Sequence, residues 1–172
     1  MNAMNTLKIK LSYEYIAQIC ILYWRDLDFL INNEYLDERA AVEHALYIID
    51  EDNLITNPEI MDLICLGNGK SIYPYIDKLV DKEKTQEYLV KDKVIFLILN
   101  WVYDNKANFK DPLGVIEVIY ADFDYPKEIR HLIRYASVPS YMKYATSELG
   151  IEKIYENWEI YLEEQKDFYS IP

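Results

Sequence analysis

Val94-Ile95-Phe96-Leu97-Ile98-Leu99 is an unbroken apolar run in a chain otherwise dense with charge. Six such residues suit either a buried strand or one stretch of a fully surrounded helix, and periodicity alone does not separate the two. Composition favours the helix. Glycine (4) and proline (6) are both scarce, whereas a sandwich or barrel uses them at its many turns. The run therefore reads as the later half of a long helix, apolar all round and central to the fold. A buried strand is the rival reading for these six residues.

The rest of the chain supports an all-α reading. Ser12 is a good N-cap, and Tyr15, Ile16, Ile19, Leu22 and Tyr23 follow it at helical spacing. Trp24 to Ile31 either continues that helix or opens a second, which Asn32-Asn33 interrupts. Asp37 is placed to cap the next helix, whose apolar face is Ala41, Val42, Ala45, Leu46 and Ile49. Asn57-Pro58 and Asp111-Pro112 are start signals, a capping residue followed by proline in the first turn. Asp122-Phe123-Asp124-Tyr125-Pro126 ends one helix and starts another, because a residue before proline avoids the helical region. The helix after it places Ile129, Leu132, Ile133 and Ala136 on one side and Lys127, Arg130, His131 and Arg134 on the other. A last helix spans about 147–166, with a stripe of glutamates beside its apolar stripe. The expectation is a single compact domain over residues 1–172. It has about seven to nine helices around a buried central helix near 88–104, with 1–10 and 167–172 as frayed ends.

Charge narrows the function classes. The chain carries a net −12, which disfavours nonspecific nucleic-acid binding, since that needs a cationic surface. Residues 11–66 hold twelve acids and two bases, a net of −10. Tyrosine is abundant at 17 copies, and it suits both half-buried helix faces and interfaces. Cys20 and Cys65 both sit in apolar helical patterns and read as small core residues. Met1 to Lys10 lacks the apolar core of a signal peptide, and no run is long enough to span a bilayer. A cytoplasmic protein with no membrane contact is the expectation.

No catalytic set emerges. His44 lacks the second histidine that a zincin helix requires, since Ile48 occupies that place. Gly67-Asn68-Gly69-Lys70-Ser71 lacks the first glycine and preceding strand of a phosphate loop and reads as a helix stop. Asp50, Glu51 and Asp52 are adjacent, so their side chains diverge in a helix. Asp122 and Asp124, with Glu117, are the remaining metal candidates, and capping of the following helix is the favoured use of that corner. No cofactor and no metal are expected.

Ile119-Tyr120-Ala121-Asp122-Phe123-Asp124-Tyr125-Pro126, together with Ile133-Arg134-Tyr135, resembles a bacterial family catalogued as domain of unknown function 2247. Trp101-Val102-Tyr103, Asp111-Pro112-Leu113-Gly114 and Asn157-Trp158 resemble it too. The resemblance brings no activity, cofactor or catalytic residue with it.

The residues point to a non-catalytic binding protein rather than an enzyme. The leading expectation is an immunity protein that blocks a basic bacterial toxin domain, a nuclease among the candidates. Asp26, Asp28, Glu34, Asp37, Glu38, Asp50, Glu51 and Asp52 steer the cationic partner, and Tyr35 and Tyr47 anchor it. The alternative is a regulatory or scaffold module binding an acidic or phosphorylated ligand through Lys127, Arg130, His131 and Arg134. The blander use of those cations is pairing with the protein's own acids, such as Glu117.

Overall fold

The computed structural model describes residues 4–52, 57–67, 69–84, 87–135 and 148–169. Among these the chain is all-α, with eight α-helices, two 3-10 helices and no strand. Val94 to Leu99 lies inside a helix, and all six side chains are buried. The strand reading of that run is thereby removed.

Two compact units form. One comprises Lys10–Val94, and the other comprises the first nine residues together with Ile95–Pro172. In the first, α1 (Tyr13–Ala17) packs on α3 (Arg39–Asp52), α3 on α4 (Pro58–Ile64), α4 on α5 (Tyr73–Lys82), and α5 on α2 (Trp24–Asn32). Local sequence explains the boundaries. Ser12 accepts the Tyr15 amide at the start of α1, and Asn57 accepts the Glu59 amide at the start of α4. Chain order supplies the stop of α2: the Tyr35 amide reaches the Leu30 carbonyl at 2.8 Å and the Glu34 amide reaches Ile31 at 3.0 Å. This is a Schellman closure, with Glu34 in the left-handed region (φ 61°) where glycine is usual.

The second unit is built on the later part of α6 (Glu87–Asp104), α7 (Pro112–Asp122), the 3-10 helix Lys127–Leu132 and α8 (Glu148–Tyr169). Phe96, Leu97, Ile98, Leu99, Ile116, Phe123, Ile129 and Trp158 are all buried. Asp111 caps α7 by accepting the Gly114 amide at 3.1 Å. Helix α7 also ends in a Schellman closure, with the Tyr125 amide on Tyr120 and the Asp124 amide on Ala121. Asp124 and Tyr125 both take positive φ, 61° and 57°, just before Pro126.

Several expectations need correction. The segment after Pro126 is a six-residue 3-10 helix, not an α-helix. At three residues per turn, Lys127 and Arg130 eclipse, while His131 and Arg134 leave their line. Of the ends expected to fray, residues 4–10 and 167–169 are described. Helix α8 continues through Tyr169, whose ring stacks on Phe96 at 5.6 Å. Residues 5–9 form a strap in which the Asn5 side chain bonds both the amide and the carbonyl of Ile9. Asp122 holds this strap, accepting the Thr6 amide at 2.9 Å and its hydroxyl at 2.6 Å. The following helix, which Asp124 or the nearby backbone is expected to cap, has Pro126 at its N-cap and no side-chain cap bond there. Cys20 is buried but Cys65, at the C-terminal end of α4, is exposed.

Candidate functional site

The acids proposed as a partner-binding face separate into three groups. Asp26 is fully buried in α2, where its Oδ2 meets the Lys93 ammonium at 2.5 Å and accepts the Tyr23 amide at 2.9 Å. Tyr35 is also buried, 1 % exposed, because the Schellman closure turns it inward. Neither presents a side chain to a partner, which corrects both assignments. The reason lies in chain direction. Asp26 occupies the first turn of α2, where the free amide of Tyr23 attracts a carboxylate inward. Asp50, Glu51 and Asp52 fall in the last turn of α3, and their side chains lie outside the described residues.

Asp28, Glu34, Asp37, Glu38 and Tyr47 remain accessible, Asp28 only partly. Asp37 pairs with Lys10 at 3.0 Å and is widely exposed. Asp28 accepts the Asn32 amide at 2.8 Å. Burial pushes its carboxyl up, the Asn32 hydrogen bond opposes that, the Asp77 charge adds to the rise and the Arg25 charge offsets it. Burial likewise pushes up the Tyr73 phenol, followed by the charges of Glu38 and Asp28. Asp28 of α2, Glu38 just before α3, and Tyr73 and Asp77 of α5 thus form one electrostatic neighbourhood. Tyr73 and Asp77 are four residues apart and share a helix face. Sequence reading missed both. They lie outside the acid-rich first third, and only the packing of α5 on α2 brings them in.

Behind this face the first unit is tied by buried polar groups. The Lys93 ammonium also donates to the Ile21 carbonyl at 3.1 Å and lies 4.6 Å from the Tyr23 ring centroid. Glu83 accepts the Trp24 and Arg25 amides, at 2.7 and 3.0 Å, with its two carboxylate oxygens. It satisfies two of the free amides that open α2, where negative charge is favoured. Cys20 has its thiol pushed up to about 11 by burial, with Lys93 pulling down and Asp26 adding to the rise. A thiol so held is inert near neutral pH. His44 is buried, contacts Tyr13 Oη through Nδ1 at 3.0 Å, and sits edge-on to Trp24. Burial lowers it to about 4, so the imidazole is neutral.

In the other unit the cationic stripe is dispersed. Arg134 is held by Glu117 through Nε (2.8 Å) and Nη2 (2.9 Å), and by Asp111 through Nη1 (3.1 Å) and Nη2 (2.9 Å). These bonds raise its already high pKa, Glu117 contributing most. The internal use of this cation, Glu117 included, is what the structure shows. His131 tilts against the Tyr161 ring at 6.3 Å, and Lys127 and Arg130 are exposed. With Glu117 bound to Arg134 and Asp122 to Thr6, the metal candidates do not converge. No group of three metal-ligating side chains is present among the described residues. Nor, among them, is any helix long and apolar enough to cross a membrane.

Comparison with known proteins leaves the chemistry open: no curated protein and no solved structure matches the chain. A family model does match, over residues 13–166, and the chain therefore belongs to DUF2247, described as an uncharacterized protein conserved in bacteria.

Proposed function

We propose that this chain is a non-catalytic binding protein that engages a basic protein partner through the acidic face of its first unit. An immunity protein blocking a basic bacterial toxin domain is the reading that fits best. The observation that carries it is the gathering of Asp28, Glu38 and Asp77 on the face where α5 packs on α2, with the charges of Glu38 and Asp28 acting on Tyr73 and that of Asp77 on Asp28. Residues 10–94 hold seventeen acids against nine bases, a net of −8 of the chain's −12. Like charges gathered on one surface destabilise the free protein and are relieved by a cationic partner. Blocking is steric and needs no bond chemistry.

The test is association kinetics with the cognate basic toxin domain. Replacing Asp28 and Asp77 with Asn and Glu38 with Gln lowers the association rate constant about tenfold, and added salt lowers the unmodified protein's rate similarly. Absence of any salt-sensitive binding to a cognate basic domain sinks the proposal.

A second reading keeps the corner at 122–134 as a site for an acidic or phosphorylated ligand. Its support is the eclipsed, exposed pair Lys127 and Arg130; Arg134 is already committed to Asp111 and Glu117. Loss of partner binding in a Lys127→Ala/Arg130→Ala protein of unchanged melting temperature favours the corner over the acidic face.

A further inference from the structure

The outer surface of α3 carries apolar side chains that a solvated helix face has no need of. Ala41, His44 and Ala45 point into the core, while Leu46 and Tyr47 are 47 % and 44 % exposed. Glu43 lies one turn before Tyr47 and forms an ion pair with Arg39 at 3.2 Å. Tyr13 of α1 adjoins the same place. Helix α1 packs on α3, and Tyr13 meets His44, which lies between Glu43 and Tyr47 on that helix; burial first, then Tyr47 and Glu43, push the Tyr13 phenol up to about 12. The floor is fixed, because Tyr13 meets His44 Nδ1 and His44 meets the Trp24 ring at 4.7 Å. Two tyrosines beside an exposed leucine offer the aromatic anchors of a binding hot spot, and the fixed Tyr13–His44–Trp24 base limits the entropy lost there on docking.

We infer that this α3 face, centred on Leu46 and Tyr47 and bordered by Tyr13, is the apolar anchor point for a basic protein segment that sets an aliphatic side chain beside an arginine. The inference rests on the proposed basic partner and says where the desolvated part of that contact lies. Charge selects the occupant. The unit around the patch is net −8, which repels an acidic segment, and a second copy of the chain brings the same negative unit. An arginine reaches Glu43 by competing with Arg39, whose bridge is exposed and therefore weak. Its aliphatic neighbour covers Leu46 and Tyr47.

Two synthetic peptides used as probes separate this inference from the general reading. One is an eight-residue oligoarginine, and the other alternates arginine with leucine at the same charge. Both are titrated into isotopically labelled protein while backbone amide signals are followed. The alternating peptide is expected to shift the signals around Leu46 and Tyr47 and to bind about tenfold more tightly than oligoarginine. Leu46→Ala and Tyr47→Ala each remove that gain, and Tyr47→Phe keeps it; thermal melts verify that each variant is folded. If oligoarginine binds near Asp28, Glu38 and Asp77 but leucine adds nothing and α3 is unperturbed, the anchor is overturned while the acidic-face reading stands. If neither peptide binds, the anchor falls, while the acidic-face reading is decided by the association kinetics with the basic domain.

Discussion

The Asp26–Lys93 pair shows how a single contact decides what a charged residue is for. Its ions are almost wholly removed from water, with side-chain exposures of 1 % and 6 %. Burial raises the Asp26 carboxyl, and the Lys93 charge and hydrogen bond pull it back. Asp26 Oδ1 has no hydrogen-bond partner among the described residues. Removing one ion strands the other, so Lys93→Met should cost about 3–5 kcal/mol in urea unfolding. The double variant Asp26→Leu/Lys93→Met should recover most of that, short of the bonds to Tyr23 and Ile21. A double variant as unstable as the single one contradicts this account. His44 gives the residue-scale pH dependence. Its ring is held at about 4 instead of 6.5, so the unfolded chain takes up the proton first. The stability it contributes is complete above pH 6.5 and is lost as pH falls through about 4, on the order of 3 kcal/mol in all. His44→Gln should flatten the fall in melting temperature between pH 7 and 4.5 relative to the unmodified protein.

At the scale of elements, two helices stop in the same unusual way. Both α2 and α7 close with a Schellman motif whose left-handed residue is an acid, Glu34 and Asp124. A non-glycine residue there costs about 1 kcal/mol, so Asp124→Gly should raise stability by about that much in chemical denaturation. Loss of stability in that variant would mean that the acid makes a compensating contact. The starts of α1, α4 and α7 were legible, because Ser12, Asn57-Pro58 and Asp111-Pro112 announce themselves locally, whereas the start of α2 stood open between a continuation and a new helix. The stops of α2 and α7 were less legible, since the closures use Glu and Asp where pattern reading looks for glycine. The segment after Pro126 was misjudged for a related reason. Ile129, Leu132 and Ile133 suit either helical period over so short a length, and Ile129 and Leu132 are also one full turn apart in a 3-10 helix.

For the molecule as a whole, the all-α class followed from composition and from the apolar run at 94–99, both properties summed over many residues. The candidate site was only half legible. Asp28 and Glu38 were found by counting charge along the chain. Tyr73 and Asp77 join them through packing between α5 and α2, which no local count contains. Asp26 and Tyr35 were misassigned because net charge and residue type do not reveal which way a side chain faces.

The strap at residues 5–9 belongs to the unit that resumes at Ile95, and its clip from Thr6 to Asp122 spans 116 positions. On a ribosome adding roughly 5–20 residues each second, Thr6 precedes its acceptor by about 6–23 s. All of residues 10–94 is made during that wait. A segment synthesised before residues 10–94 is therefore fastened only after them, and closure of that unit reports that translation has passed α7.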